Sequence, residues 1–166
     1  PTDVAQIVNR AVETARPAIE AGKHMLKVDL TQQAIVSGDE LRLTQALTNI
    51  LNNAARYTDS GGHIYLKVSR EKTNDHALAC ISVRDTGRGI EPHLINSIFG
   101  MFIQGKDPLN RPAMGLGVGL ALARSIVELH HGTIEVKSAG TGKGSEFIIK
   151  LPLLTDVTAV NSDAVP

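Results

Sequence analysis

The sequence predicts an α+β fold, a two-layer α/β sandwich in which a mixed sheet of about five strands carries three main helices on one face. Two observations lead to this class. Apolar residues recur at helical spacing in three separate stretches, and between those stretches lie short segments with the alternating pattern of half-buried strands. Helices interleaved with hairpin-like strand pairs are typical of one sheet covered by helices on a single face.

The composition is that of one folded domain without a broad charged surface. Of 166 residues, 42% are apolar and 20% are charged, and 17 basic side chains balance 17 acidic ones. This neutrality argues against nucleic-acid or direct membrane contact, and no stretch reaches the ~20 apolar residues that cross a bilayer. The single cysteine, Cys80, gives no sign of an oxidising compartment. We expect a cytoplasmic domain over residues 1–152, from a parent that is free to be membrane-anchored, followed by a flexible C-terminal tail or linker over 153–166.

A first amphipathic helix is predicted near the N-terminus. Apolar residues recur one turn apart along residues 4–15, with Thr2 or Asp3 as the N-cap. Gly22 marks the end of this helix. Two short extended segments are expected to follow, at residues 25–30 and 34–37.

The second helix is the clearest element of the chain. A continuous apolar stripe runs along residues 43–54, and the helix begins either with a capping box of Ser37 and Glu40 or with Asp39 as its cap. A hairpin is expected after it, because two alternating segments flank a polar connection. The strands of this hairpin are predicted at residues 63–70 and 77–85.

The second half of the chain is richer in glycine. Of the 15 glycines, 11 lie between Asp85 and Gly144, and loops that let the backbone approach a ligand closely need such residues. A short helix is expected near residues 92–99, and a third main helix is expected from about Val118 to His130. Two final strands are predicted at residues 133–138 and 145–151.

Two amides and a guanidinium lie along one edge of the second helix. At ~100° per residue, Asn49, Asn53 and Arg56 fall close together beside the apolar stripe. An amide oxygen is a suitable ligand for Mg²⁺, and arginine pairs with phosphate. This edge therefore suits a polyphosphate with its metal. The alternative is that the three side chains only solvate the edge of the helix.

A second motif begins with a carboxylate at a strand end, Asp85, and continues to Ile90. Such a carboxylate can accept a hydrogen bond from an exocyclic amine such as that of adenine. Gly87 and Gly89 would allow a base to lie close to the backbone. The alternative is an ordinary turn with an Asx cap.

A glycine-rich run immediately precedes the third helix. Its members are Gly115, Leu116, Gly117, Val118, Gly119 and Leu120. Backbone N–H groups of such a loop at a helix N-terminus form an anion site, and the alternative is a flexible hinge. The P-loop, dinucleotide-binding and protein-kinase signatures each fail in this sequence.

Taken in order, these motifs resemble the ATPase fold shared by histidine kinases, gyrases and mismatch-repair ATPases. The resemblance is greatest to the C-terminal catalytic ATP-binding domain of sensor histidine kinases. It covers about residues 1–152, and five boxes in the family's order carry it. They are an asparagine box at 47–58, a glycine box at 85–90, a phenylalanine box at 99–104, a second glycine box at 115–120 and a last one at 142–147.

The resemblance implies a role in binding ATP and Mg²⁺ for each candidate residue. Asn53 would hold Mg²⁺, Asn49 would lie close to the metal and the phosphates, and Arg56 would contact phosphate. Asp85 would accept a hydrogen bond from the adenine amine, helped by Ser145 through water. The other residues expected to border the nucleotide are Tyr57, Gly87, Gly89, Ile90, Phe102, Gly115, Leu116, Gly117, Val118, Gly119 and Leu120.

The resemblance also implies a mobile lid over the nucleotide. This lid would extend over residues 104–114, with Phe99 and Phe102 anchoring one of its ends. Lys106 or Arg111 is a candidate contact to the γ-phosphate, and simple solvation of these cations is the alternative.

Asn49 separates two chemistries within this fold. In the ATPase branches a glutamate one turn before the metal-binding Asn activates water, whereas an amide cannot act as a general base. We therefore expect slow hydrolysis and transfer of the γ-phosphoryl group to another acceptor. The resemblance implies that this acceptor is a histidine on the dimeric phosphoacceptor helical domain of the parent kinase, with a response regulator receiver domain as a further partner. None of the six histidines here has the phosphoacceptor pattern, so the chain is expected to be the catalytic domain alone.

Three other interpretations stay open. The first is an anti-sigma-type serine kinase on the same fold, which an acid-lability test of the phosphorylated product would separate from a histidine kinase. The second is a degenerate nucleotide-binding or docking module, which absence of Mg-dependent nucleotide binding would favour. The third is a hydrolytic ATPase, which rapid phosphate release would favour.

Overall fold

The computed structural model of the chain describes residues 1–100 and 118–154. Within these ranges the helices are α1 (Val4–Ala21), α2 (Glu40–Tyr57), α3 (Gly119–Leu129) and a 3-10 helix (Pro92–Ser97). The strands are β1 (Thr2–Asp3), β2 (Met25–Asp29), β3 (Ile35–Val36), β4 (His63–Lys72), β5 (Ala77–Asp85), β6 (Thr133–Lys137) and β7 (Ser145–Pro152). Outside the described residues lie Phe102, Gly115, Leu116, Gly117, the predicted lid with Lys106 and Arg111, and the predicted tail from residue 155 onward.

The five longer strands form one mixed sheet in the order β2-β4-β5-β7-β6. β2 runs parallel to β4, and the other three pairs are antiparallel. The predicted hairpin is β4–β5, in which Ile64 pairs with Asp85. The expected α+β class, with a mixed sheet of five strands, is therefore confirmed.

One face of this sheet carries the three main helices and encloses the core. α2 lies between α1 and α3 and contacts both. The apolar stripes predicted for the first two helices point into this layer, and alternate residues of β4, β5 and β7 meet them from the sheet. The largest fully buried side chains are Phe147, Ile7, Leu47, Ile50, Leu51, Ile64, Leu66, Ile81 and Leu151. Each contributes about 1.5–3 kcal/mol relative to an exposed position.

The structure shows which of the two predicted N-caps, Ser37 with Glu40 or Asp39, begins α2. The Asp39 side chain accepts a hydrogen bond from the Arg42 backbone N–H at 3.1 Å, so Asp39 is the N-cap. Glu40 pairs instead with Arg10 of α1, at 2.9 Å between Nε and Oε1. This ion pair ties the first turn of α2 to α1.

A small second sheet brings the two ends of the described chain together. Thr2 of β1 pairs with Val36 of β3, and Val36 also bridges Leu153. The N–H of Leu154 donates to the carbonyl of Ile35 at 2.8 Å. Backbone pairing thus continues two residues past the predicted boundary at 152. Among the described residues, none of the helices combines the length and the apolar character that crossing a bilayer requires.

Candidate functional site

Asp85, at the end of β5, is a buried carboxylate with its acceptor positions largely engaged. Its residue is 5% exposed. Oδ1 accepts from the backbone N–H groups of Gly87 at 2.8 Å and Ser145 at 3.3 Å, and Oδ2 accepts from the Ser145 hydroxyl at 2.8 Å. Ser145 therefore contacts Asp85 directly through its backbone and its side chain. That Ser145 also reaches the adenine amine through water stays a prediction. Because each carboxylate oxygen can accept two hydrogen bonds, Oδ2 keeps one acceptor position that no described residue fills.

The two glycines after Asp85 are required by the protein's own backbone. A Cβ on Gly87 would overlap the carbonyl oxygen of Tyr57 at the end of α2. Gly89 has φ +70°, and a Cβ there would overlap the carbonyl oxygen of Gly140. Both close approaches exclude a larger residue. That these glycines also line a base pocket stays a prediction.

Hydrogen bonds hold the loop after Asp85 to two neighbouring parts of the structure. On one side, the Arg88 N–H donates to the Tyr57 carbonyl at 3.0 Å, which joins the loop to the end of α2. On the other side, the N–H of the buried residue Ile90 donates to the Ser138 hydroxyl at 3.0 Å, which joins it to the turn between β6 and β7. The candidate residues Tyr57, Asp85 and Ile90 therefore belong to one connected region.

The asparagine edge of α2 lies between this loop and α3. Nδ2 of Asn49 donates to the Gly119 carbonyl at 3.0 Å. Since a carbonyl only accepts, the donor must be the amide nitrogen, and Oδ1 of Asn49 stays available to a ligand. One turn later, the half-buried side chain of Asn53 makes no hydrogen bond with another described residue. Arg56 is exposed, and its guanidinium carbon lies 5.6 Å from the ring centroid of Tyr57.

The start of α3 completes the described part of the region. Val118 precedes the helix without capping it through its side chain, and Gly119 is its first residue. Leu120 packs against the hydrophobic core. Phe99, expected to anchor the lid, packs edge-on against Phe147 with 6.0 Å between ring centroids.

The candidate residues of this region are mostly amides, with one guanidinium and one carboxylate. Within residues 1–100 and 118–154, no three His, Cys, Asp or Glu side chains gather closely enough to hold a metal ion. The amide oxygens of Asn49 and Asn53 accept no hydrogen bond from a described residue. The two amides and the exposed Arg56 lie along one edge of α2. Asp85 lies at the end of β5, and the loop that follows it is joined to the end of α2.

Comparison with known proteins places this arrangement in a family. Residues 38–155 match the histidine kinase-, DNA gyrase B-, and HSP90-like ATPases, a span that includes α2, the loop after Asp85 and β7. The chain belongs to this ATPase family. Within it, the chain is an ATP-binding catalytic domain of the histidine-kinase type.

Two curated relatives of this histidine-kinase-type domain are sensor proteins. The chain is 39% identical over 118 residues to the sensor protein GacS of Pseudomonas syringae pv. syringae, which covers 71% of the chain and 13% of GacS. It is 37% identical over 121 residues to the sensor protein SrrB of Staphylococcus aureus, covering 73% of the chain and 20% of SrrB. The chain thus corresponds to a fifth or less of the length of these relatives.

Solved structures of histidine kinases have the same fold. The mycobacterial sensor histidine kinase MprB superposes with a TM-score of 0.78 at 27% identity, over 92% of this chain and 97% of that one. The full-length ShkA in complex with AMPPNP superposes with a TM-score of 0.73 at 26% identity, over 93% of this chain and 31% of ShkA. The match extends over almost all of the chain.

Ser138 is a residue of this region that the sequence did not point to. Its hydroxyl accepts from the Ile90 N–H and donates to the Gly144 carbonyl at 2.8 Å, so that one side chain links two glycine-containing loops. A serine before a glycine turn is common in any sequence. Only its position opposite Ile90 in three dimensions gives it this role.

Proposed function

We propose that this domain binds Mg·ATP and donates the γ-phosphoryl group to a histidine on a separate phosphoacceptor domain. The observation that carries this proposal is the buried carboxylate of Asp85. Gly87 and Ser145 hold it in place while Oδ2 keeps one free acceptor position. An acceptor in that position favours the exocyclic amine of adenine over the carbonyl at the same ring position of guanine or hypoxanthine. Membership of the ATPase family supports ATP as the nucleotide.

The amides of α2 are proposed to hold the metal. Mg²⁺ prefers oxygen ligands, and the free oxygens of Asn49 and Asn53 fit that preference. Asn53 would bind the ion, with Asn49 close to it and to the phosphates. When bound, Mg²⁺ would neutralise the negative charge that develops on the phosphate oxygens during transfer. Arg56, exposed on the same edge, would pair with a phosphate oxygen.

The residue at position 49 favours transfer over hydrolysis. Removing a proton from an attacking water requires a base, and the Asn49 amide has no basic group. Its nitrogen is also engaged by the Gly119 carbonyl. The domain would therefore keep ATP largely intact until an acceptor imidazole is placed in line with the γ-phosphorus.

The partners in this proposal follow from the sensor kinases that the chain resembles. They are the dimeric phosphoacceptor helical domain of a parent kinase and a response regulator receiver domain, within a two-component system of the cytoplasm. The parent is free to carry a membrane anchor. Neither nucleic acid nor direct membrane contact is part of the proposal.

Nucleotide titrations test the roles of Asp85 and Asn53. We expect Asp85→Ala to weaken ATP binding by about 10- to 100-fold, as loss of a charged hydrogen bond of about 1.5–3 kcal/mol implies, and to abolish the preference for ATP over ITP. Asp85→Asn keeps one acceptor for the Gly87 N–H and offers an amide donor, so it should shift preference toward ITP. Asn53→Ala should remove the Mg²⁺ dependence of binding.

The matched controls are Asp75→Asn in the exposed connection between β4 and β5, and Asn52→Ala on the exposed side of α2. Both should bind Mg·ATP like the parent chain. If the Asp85 and Asn53 variants also bind like the parent, the site assignment is wrong.

A transfer assay tests the reaction itself. Labelled ATP, this chain and an isolated dimeric phosphoacceptor helical domain should together give an acid-labile, base-stable phosphorylated product. An acid-stable product would favour a serine kinase. Rapid release of phosphate without any acceptor would favour a hydrolytic ATPase and would contradict the role given to Asn49.

A further inference from the structure

The face of the sheet opposite the helices carries a groove. Its lining includes Asp85 and Ser145 of the proposed nucleotide site, but the cations around it have no role in that site. The groove encloses about 730 Å³ and opens to solvent where β5 and β6 end and β7 begins. No described helix covers this face. The charged residues around the groove are Arg84, Asp85, Lys137, Lys143 and Glu146.

The floor of the groove is a single cross-strand row. The register places four residues side by side on adjacent strands, namely Tyr65, Arg84, Glu146 and Lys137. The guanidinium carbon of Arg84 lies 4.7 Å from the ring centroid of Tyr65, so the ring supports this cation by a cation–π contact. Since that ring face is occupied, the floor favours charge pairing over stacking of an aromatic ligand.

The cations of the groove lie within ion-pairing distance of no carboxylate among the described residues, although Glu146 is the cross-strand neighbour of Arg84 and Lys137. Arg84, Lys137 and Lys143 form no ion pair with another residue of that part of the chain. The hydrogen bonds from Lys150 and Cys80 lower the pKa of Glu71, and the positive charge of Lys137 also lowers it, but less than they do. Three positive groups therefore face one open volume.

The two carboxylates of the groove are already engaged. Glu146 accepts a hydrogen bond from the Ser82 hydroxyl at 2.6 Å. Asp85 points to the helix side of the sheet, because side chains alternate along β5, and it is bound there by Ser145. The Ser82 hydroxyl is neutral and leaves the charge of Glu146 in place, so the groove presents three cations and one carboxylate to solvent. Positive charge is therefore in excess there, although the chain as a whole is neutral.

At the other end of the same sheet face, the charged side chains form ion pairs with one another. Nζ of Lys150 lies 3.2 Å from Oε2 of Glu71 and 3.7 Å from Oε1 of Glu135. The hydrogen bond from Lys150, followed by that from Cys80, lowers the pKa of Glu71. The cation at this end is therefore paired with two carboxylates, whereas Arg84, Lys137 and Lys143 form no such ion pair within the described part of the chain.

We propose that this groove binds an extended, acidic segment of a partner protein. Arg84 and Lys137 lie two strands apart, a separation of about 10 Å, which is wider than one carboxylate can bridge. An extended peptide places alternate side chains about 6.5–7 Å apart, so successive Asp or Glu residues can reach Arg84, Lys137 and Lys143 together. Carboxylates pair with such cations through charge-assisted hydrogen bonds.

Amide NMR of the full chain, titrated with a hexaglutamate peptide, tests this proposal. Shift changes should concentrate at residues 84–86 and 137–146, and hexaglutamine should produce none. The double variant Lys137→Ala/Lys143→Ala should bind hexaglutamate at least tenfold more weakly. Lys67→Ala removes an exposed cation from the same sheet face outside the groove, and it should bind like the parent chain.

Three results would overturn the proposal. The first is shift changes spread evenly over the surface, and the second is equal binding by the double variant. The third is saturation of the groove by inorganic triphosphate with no response to hexaglutamate, which would make it a site for a small polyphosphate. Because none of these measurements uses ATP or a phosphoacceptor, their outcome is independent of the proposed kinase activity.

Discussion

Gly89 illustrates how single residues shape the candidate site. It has φ +70°, and the carbonyl oxygen of Gly140 occupies the space that a Cβ would need. We predict that Gly89→Ala lowers the free energy of unfolding by about 1–2 kcal/mol for the left-handed backbone and by a further 1–3 kcal/mol or so for the overlap. Urea unfolding followed by circular dichroism measures this loss.

Gly142→Ala is the matched control for Gly89. Gly142 also has positive φ, +79°, but a Cβ there would meet nothing within 4 Å. This variant should therefore show only the backbone cost. Equal losses at the two positions would mean that the contact with Gly140 does not constrain the loop.

At the scale of elements, the contact between α2 and α3 depends on Asn49. Its amide nitrogen holds the Gly119 carbonyl in the first turn of α3. We predict that Asn49→Ala costs about 0.5–1.5 kcal/mol and speeds amide hydrogen exchange in the first turn of α3. Asn49→Asp should cost more, because it places a carboxylate, which cannot donate, beside a carbonyl oxygen.

Asn52→Ala, on the exposed side of the same helix, is the control for this contact. It changes helix propensity without touching α3, so exchange in α3 should stay at the parent rate. If Asn49→Ala also leaves that rate unchanged, the hydrogen bond does not hold α3 against α2.

The helices and the long strands could be predicted from the sequence because their signals are periodic. The stripe of α2 and the alternation along β4 each repeat several times, and Asp85 was recognised because it ends the strand that pairs with β4. The strand β1 could not be predicted, since two residues carry no period and Thr2 is extended only because Val36 pairs with it. The role of Ser138 was missed for a similar reason, because its partner Ile90 is 48 residues away.

At the scale of the whole molecule, the sheet separates the apolar helix layer from a polar face. The one thiol on that face, that of Cys80, makes the free energy of unfolding depend on pH. Cys80 is 7% exposed, and its Sγ lies 3.4 Å from Oε2 of Glu71. Burial, followed by this hydrogen bond, raises the pKa of the Cys80 thiol from 9.0 to about 11. The thiol should therefore react slowly with iodoacetamide near neutral pH, because the thiolate is the nucleophile.

The raised pKa of Cys80 also predicts how stability depends on pH. Between pH 9 and 11 the unfolded chain loses the thiol proton that the folded chain keeps, so the free energy of unfolding must fall as pH rises through this window. Below pH 9 this contribution is constant. Cys80→Ala cannot titrate and should show a shallower fall in urea-unfolding experiments at pH 8, 9, 10 and 11. If the free energy of unfolding fell equally with pH in both proteins, the raised pKa of Cys80 would be contradicted.

The small sheet beside the main one has a consequence for engineering. Thr2 and Leu153 lie on either side of Val36, so about 10 Å separates them, two strand spacings. The described part of the chain therefore begins and ends at neighbouring strands. Joining residue 154 to residue 1 through a short glycine tether and cutting the chain in the exposed connection between β4 and β5 would give a circular permutant with every strand still in its native register.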